Sequence, residues 1–381
     1  VKLKFPYVAI TLAGLLIAGC SGSGKKELAP AELQDFTAEV ELERTWKRNI
    51  GAGQGKLYNQ LMPSLDGLTL YAADARGRVV AMERDTGEVK WQVKLKEDVS
   101  GAVGTGGGRV MVGTLDGQVI VLDEADGSEM WRAQVSSEVL APPQTNGDVV
   151  VVQTLDDKVT ALDISDGSQR WIYESSVPVL TVRGHSSPLI SRGRVFAGLS
   201  SGQVVGLAAD SGLPIMETRV AQPQGRTELE RMVDIDGELL LVDETLYVTS
   251  YQGALAAVDV NTGSVRWQKQ ASSLVGPGEG FGSVYVSHAD GRVEALDRTR
   301  GESLWINDSL MRRNLNAPVA YSSYIAVADF DGYVHLLAQT DGRLVGRVRV
   351  DGDGVRAPAI VLGDTLYVYG NSGDLVALKL R

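Results

Sequence analysis

The sequence predicts an all-β chain, an eight-bladed β-propeller of four-stranded antiparallel blades whose ring is closed by an N-terminal strand pairing with the C-terminal three. Three observations carry this reading. One motif is written eight times at near-regular spacing, each copy reads as short strands separated by turns, and the last copy stops short while a matching fragment stands near the start of the chain.

The motif is clearest in LDGQVIVLDEADGSEMW, residues 115–131. Its front half recurs as ARGRVVAM, LDGQVIVL, LDDKVTAL, SSGQVVGL, YQGALAAV, ADGRVEAL, FDGYVHLL and NSGDLVAL. The register residues are Gly77, Gly117, Asp157, Gly202, Gly253, Gly291, Gly332 and Gly373, at intervals of 40, 40, 45, 51, 38, 41 and 41 residues. Gly117 supplies the positive φ of a tight hairpin, and the β-branched run from Val119 that follows it suits a buried strand. Asp123 then accepts backbone N–H bonds across a second turn that Gly127 completes, a chemistry repeated at Asp163/Gly167, Asp259/Gly263 and Asp297/Gly301. Four residues beyond each such glycine, and beyond Gly87 of the first unit, stands Trp91, Trp131, Trp171, Trp267 or Trp305, a placement expected to pack each unit on its neighbour. Two apolar segments upstream of each glycine hairpin bring the unit to four strands. Helical solenoids are excluded because the segments are short, rich in Val and interrupted by glycine, with no helix-length stretch of 3.6-residue period.

The eighth hairpin, NSGDLVALKLR, reaches Arg381 without a turn and fourth strand. EVELERTW, residues 39–46, has the pattern of a fourth strand with no three strands before it, so Trp46 joins the structural set. Pairing the two fragments leaves no open edge.

The N terminus carries Lys2 and Lys4, an apolar run at 7–18 and the sequence LIAGC ending at Cys20, the one Cys in the chain. This resembles the lipobox of bacterial lipoproteins, which implies a signal peptide at 1–19, cleavage before Cys20 and lipidation of that residue. Ser21, by the same resemblance, favours the outer membrane, with the protein facing the periplasm of a Gram-negative cell. Residues 20–36 then read as lipidated Cys and flexible tether, and 37–381 as the propeller. Loss of the signal removes two lysines and takes the formal charge from −11 to −13. An acidic surface disfavours nucleic acid and anionic headgroups.

The repeat is broken in an informative way. From the Trp position of one unit to the glycine hairpin of the next takes 26 residues for Trp91 to Gly117 and for Trp131 to Asp157, but 31 for Trp171 to Gly202 and 37 for Met216 to Gly253. Trp46 to Gly77 also takes 31, with GAGQG as the excess. Blades four and five are therefore reached through enlarged connections, on the face that also carries the glycine hairpins. The first contains VPVLTVRGHSSP (177–188), with Leu180, Val182 and Arg183; the second contains GRTELERMVDIDGE (225–238), where Thr227 and Glu230 form a capping box ahead of Asp234 and Asp236. An Arg beside aliphatic side chains and near paired carboxylates suits a protein-binding patch.

A lipobox followed by eight blades of the LDxxTGxxxW type resembles, over essentially the whole chain, the BamB (YfgL) family of outer-membrane β-barrel assembly lipoproteins. In that family a loop L-x-L-R-G-x-S-x-P and a downstream D-x-D contribute to docking on the POTRA domains of the barrel insertase BamA. Here the matching positions are Leu180, Val182, Arg183, Gly184, Ser186 and Pro188, then Asp234 and Asp236, with Val182 departing conservatively from Leu. The resemblance implies a non-catalytic scaffold without cofactor, which binds the insertase and assists delivery of unfolded outer-membrane proteins through exposed strand edges.

Two other classes compete. A quinone-dependent dehydrogenase shares the blade motif, but by family resemblance it calls for adjacent cysteines, which are absent. Asp351 and Asp353 in VDGDG lack the rest of a calcium loop and read as a blade turn. GTGGGR (104–109) and GPGEGFG (276–282) miss the phosphate-loop and dinucleotide patterns and read as hairpins. His185, His288 and His335 fall in three separate blades and predict no metal cluster. A binder of peptidoglycan or another sugar calls for exposed aromatics, whereas the six Trp are committed to the repeat.

Overall fold

The computed structural model describes residues 28–57, 60–184 and 186–381. Its strands form eight separate four-stranded antiparallel sheets, seven of them built from strands consecutive in sequence. The second blade is typical, running Val99–Gly106, Arg109–Thr114, Gln118–Asp123 and Glu129–Gln134. The eighth pairs Leu42–Asn49 with Asp374–Leu380, which in turn pairs with Thr365–Tyr369 and Ile360–Leu362. Its register runs from Leu42 opposite Leu380 to Asn49 opposite Asp374. The closing strand thus lies three residues later than the 39–46 pattern suggests, because Trp46 occupies the strand's interior and residues 39–41 serve elsewhere.

Burial follows from this architecture. The second and third strands of each blade are covered on both faces, as in Val149–Gln153, every residue of which is buried, and they read as continuous Val-rich runs. The fourth strand is outermost and alternates, as Val89–Lys94 does, with every second side chain turned out to solvent.

The recurrent Trp docks blade on blade. The Trp131 indole lies on Gly167 of the next blade so closely that a Cβ there would stand 2.5 Å from the ring, and its Nε1–H donates to the Ile164 carbonyl at 2.9 Å. Trp46, Trp91, Trp171, Trp267 and Trp305 repeat both contacts, on Gly87, Gly127, Gly212, Gly301 and Gly342. Only glycine leaves room for this approach. Two seams differ, each for a visible reason. Met216 replaces Trp against Gly263, and the Val260 carbonyl that an indole would bond accepts from Arg194 Nη1 at 2.6 Å. At the seam between blades seven and eight the position is Gly346, because blade eight has no third-to-fourth hairpin to receive a ring. There Val40 comes in, its carbonyl against Gly346 and its N–H bonded to the Val345 carbonyl.

Residues 28–36, which composition assigns to a flexible tether, lie along blades six and seven. Leu33 packs against the apolar cluster of Leu310, Leu315 and Trp305, and the Ala31 N–H donates to the Met311 carbonyl at 2.9 Å. Charged side chains from distant parts of the chain hold them, so local composition carries no sign of it. The segment expected to be a signal peptide, Cys20 and the remainder of the expected tether fall outside the described residues.

Candidate functional site

The two enlarged connections meet on one face of the ring. The first leaves the outer strand Gln169–Tyr173 of blade three and reaches Leu189–Ser191 of blade four; the second leaves Pro214–Arg219 and reaches Leu240–Val242 of blade five. Their contact is built from side chain to backbone: the Val182 N–H donates to Asp234 Oδ1 at 2.8 Å, and Gly184 lies against the Asp236 carboxylate, which a Cβ would approach to 3.3 Å. The second connection is pinned beneath by Ile235, packed on Gly198, and by the Tyr251 N–H bonded to the Asp234 carbonyl. The expected capping box is present. Glu230 N–H donates to Thr227 Oγ1 at 3.2 Å, Thr227 N–H donates to Glu230 Oε2 at 3.1 Å, and the turn they close is the short 3-10 helix Leu229–Arg231.

The first connection presents apolar side chains with one guanidinium, and the second presents Leu229 between exposed Arg226 and Arg231. Val179 is 90% exposed and Leu229 64%, with Val177 and Leu180 also exposed. Arg183 extends over blade three, where its Nη1 stands 2.8 Å from Glu138 Oε2. Glu138 lies in the connection between blades two and three and is held by its carbonyl, which accepts from the Leu155 N–H. Beside these residues Met62, Leu140, Val182, Gly184 and Asp236 line a cavity of about 50 Å³.

The paired carboxylates differ from the expected surface patch. Asp234 is fully buried, and its carboxylate organises the first connection rather than facing solvent. Arg183 pairs with Glu138 rather than with either aspartate. The Asp236 oxygens have no hydrogen-bond partner among the described residues. Burial pushes the Asp234 carboxyl up to about 6, opposed by the Val182 N–H and aided by the nearby Asp157 charge. Asp236 is driven well above the carboxylate range, first by burial and then by Asp234 and Asp157.

This arrangement sets a pH dependence. Because the folded state raises the Asp234 pKa from 3.8 to about 6, the unfolded chain releases its proton first as pH rises. Stability from this group is therefore full below pH 4 and falls until about pH 6. Asn at 234 retains an acceptor for the Val182 N–H without the buried charge. Asp234→Asn is expected to raise unfolding stability at pH 7.5, by at most about 3 kcal/mol for a shift of about two units. The gain should vanish below pH 4. Urea titrations of both proteins at pH 7.5 and 5.0 measure it, and an equal difference at the two values would remove the titration as its cause. Asp163, held near 2 first by its bond from Ser165, titrates below this window.

The remaining candidates resolve into structure. His288 Nε2 lies 2.9 Å from Glu294 Oε2 in blade six, and His335 Nε2 lies 2.9 Å from Asp329 Oδ2 in blade seven. Each is engaged within its own blade, and His185 is outside the described residues. Asp351 accepts from the Asp353 N–H at 2.7 Å and from Ser372 Oγ at 2.6 Å, tying the VDGDG turn to the last hairpin. GTGGGR and GPGEGFG lie on first strands and the turns that follow them. Sequence reasoning missed Glu138. Nothing in its surroundings distinguishes it from other exposed acids, and its partner is far along the chain.

An eight-bladed propeller whose blades dock by Trp on glycine shares its fold with solved alcohol and methanol dehydrogenases. A europium-containing methanol dehydrogenase superposes with a TM-score of 0.71 over 89% of this chain and 93% of its own, at 15% identity, a likeness of fold alone. The matches in sequence narrow the class to one family. The family model described as outer membrane protein assembly factor BamB matches residues 41–112 and 75–307. The chain is 62% identical to outer membrane protein assembly factor BamB of Pseudomonas aeruginosa, over 379 residues covering 100% of both proteins. It is 45% identical to that of Marinobacter adhaerens, covering 96% of this chain and 94% of the relative. The crystal structure of BamB from Moraxella catarrhalis superposes with a TM-score of 0.82, at 31% identity, over 89% of this chain and 99% of that one. This chain belongs to the BamB family.

Proposed function

We propose that this protein is a non-catalytic scaffold for outer-membrane protein assembly, lipidated at Cys20, anchored in the outer membrane and facing the periplasm. It docks on the POTRA domains of the insertase BamA through the exposed loop carrying Leu180, Val182 and Arg183, and it assists delivery of unfolded outer-membrane proteins to that machinery. The observation that carries the docking site is the bond between the Val182 N–H and Asp234. It gives these two enlarged connections a shared, ordered surface that exposes Val179, Leu180 and Leu229 together with Arg183, Arg226 and Arg231. Such a surface, apolar at its centre and set with Arg, fits a protein partner. In this reading Asp234 and Asp236 position the loop and contribute to docking through it. Support for the assembly role is the name borne by relatives matching this chain along its full length. Support for a role without quinone chemistry is the single Cys, at position 20.

A photocrosslinking residue at position 183 in native envelopes tests the site, with exposed position 125, in a hairpin on the opposite face, as control. The expected result is a specific adduct between position 183 and BamA, identified by mass spectrometry and absent from position 125. Equal capture from both positions, or from neither, would overturn the assignment.

A further inference from the structure

The ordered segment that precedes the closing strand is held almost entirely by arginines. Arg312 Nε donates to the Ala29 carbonyl at 2.6 Å, Arg313 Nη1 to the Ala31 carbonyl at 3.0 Å, and Arg347 Nη2 to the Gln34 carbonyl at 2.6 Å. The Arg347 guanidinium also covers the Phe36 ring at 4.9 Å, and Arg343 grips both oxygens of Glu39 at 3.0 and 2.8 Å. Between these clamps Leu33 enters the apolar cluster of blade six, and the Glu39 and Val40 N–H groups both donate to the Val345 carbonyl. Arg313 is itself buried and fixed by Asp329 and Asp331 at 2.6 Å each, so the clamp rests on the interior of blade seven.

Where this segment begins matters. Ala29 and Ala31 lie on residues 311–313, in the connection between blades six and seven, and such connections emerge on the face that carries the Val182–Asp234 contact. From Leu42 onward the same chain closes the ring. A pull on the amino terminus therefore meets the arginine clamp before it reaches the closing strand.

We propose that blades six and seven form a docking surface for this protein's own residues 28–41, and that this surface fixes where the membrane tether leaves the propeller, at the rim of the partner face. The inference rests on the lipid anchor at Cys20. With residues 28–41 clamped, seven residues, 21–27, span from anchor to propeller; with the clamp released, the span is 21 residues, 21–41. The clamped tether reaches at most about 25 Å, the released one about 75 Å. A tether of threefold longer reach lowers the effective concentration of the partner face at a target on the same membrane by about fivefold.

The test uses the full lipidated protein in vesicles of phosphatidylethanolamine and phosphatidylglycerol that also contain BamA. Three proteins are compared: wild type, Arg312→Ala/Arg347→Ala, and a protein with 14 Gly and Ser residues inserted between Glu27 and Leu28. Hydrogen exchange should find the amides of Ala31, Glu39 and Val40 protected in the wild type and in the insertion protein, and at least about tenfold faster in the double variant. Energy transfer from a dye on Arg231→Cys to an acceptor lipid should fall in both altered proteins, and capture of BamA should fall about fivefold in both. Unprotected wild-type amides, or unchanged transfer and capture in the insertion protein, would overturn the proposal. Two controls separate it from the readings beneath it. Cys20→Ser should release the protein from vesicles, and failure to do so indicts the anchor. Soluble protein lacking residues 1–27 should bind isolated POTRA domains with equal affinity whether or not it carries the double substitution, and failure of both to bind indicts the partner.

Discussion

Trp46→Ala is expected to cost about 3–5 kcal/mol and to lower the melting temperature by roughly 5–10 °C. Trp46 is 8% exposed, its ring lies on Gly87 of blade one, its Nε1–H donates to the Arg84 carbonyl at 2.8 Å, and Tyr367 stands 6.0 Å away, centroid to centroid. Trp131→Ala removes an equivalent ring and indole bond at an interior seam. The two should differ in kind rather than in size. Trp131 sits in a strand joined to its blade by a hairpin, so its blade stays covalently connected when the dock is lost. Trp46 sits in the strand that closes the ring, which no hairpin joins to the rest of blade eight. Only Trp46→Ala should therefore accelerate exchange of the amides in Asp374–Leu380, as the opened ring exposes a free edge. Melting curves with exchange read by mass spectrometry test this. Equal exchange in the two variants would mean that the ring is not opened through this seam.

That contrast also marks what was legible in the sequence. The blades were legible because the front half of one motif, a tight hairpin and an apolar strand, is written eight times, and in most copies a Gly turn and then Trp follow. The two linked connections were legible as excess length, 31 and 37 residues where the repeat takes 26. The contacts that organise the site were not. Asp234 turns inward to meet a backbone N–H of the other loop, and no spacing rule distinguishes such a carboxylate from a solvated one. Glu138 meets Arg183 only because neighbouring connections emerge side by side on one face. The arginine clamp joins residues 29–34 to Arg312, Arg313 and Arg347, and composition at the N terminus records nothing of it. Met216 and Gly346 break the Trp rule in the sequence, but the compensations, Arg194 on one seam and Val40 on the other, exist only in the fold.

Arg183→Glu is the substitution expected to weaken the partner complex most, by at least about 30-fold, or about 2 kcal/mol. It removes the one guanidinium among the exposed apolar side chains of the first loop and sets a second carboxylate beside Glu138. Both partners of the pair are partly exposed, so the ion pair itself contributes little to folding, and the melting temperature should stay within a few degrees of the wild type. The reciprocal exchange Arg183→Glu/Glu138→Arg separates two explanations. If Arg183 acts mainly by holding the loop against blade three, restoring an opposite-charge pair should recover most of the affinity. If its guanidinium contacts the partner, the exchanged pair folds equally well and binding remains weak, because the positive charge now issues from a different connection. The second outcome is expected, since Val182 and Gly184 are already fixed by Asp234 and Asp236 without help from Arg183. Calorimetric titration of soluble protein with isolated POTRA domains measures both variants. Recovery of wild-type affinity in the exchanged pair would reassign Arg183 to positioning and leave Leu180 and its apolar neighbours as the contact itself.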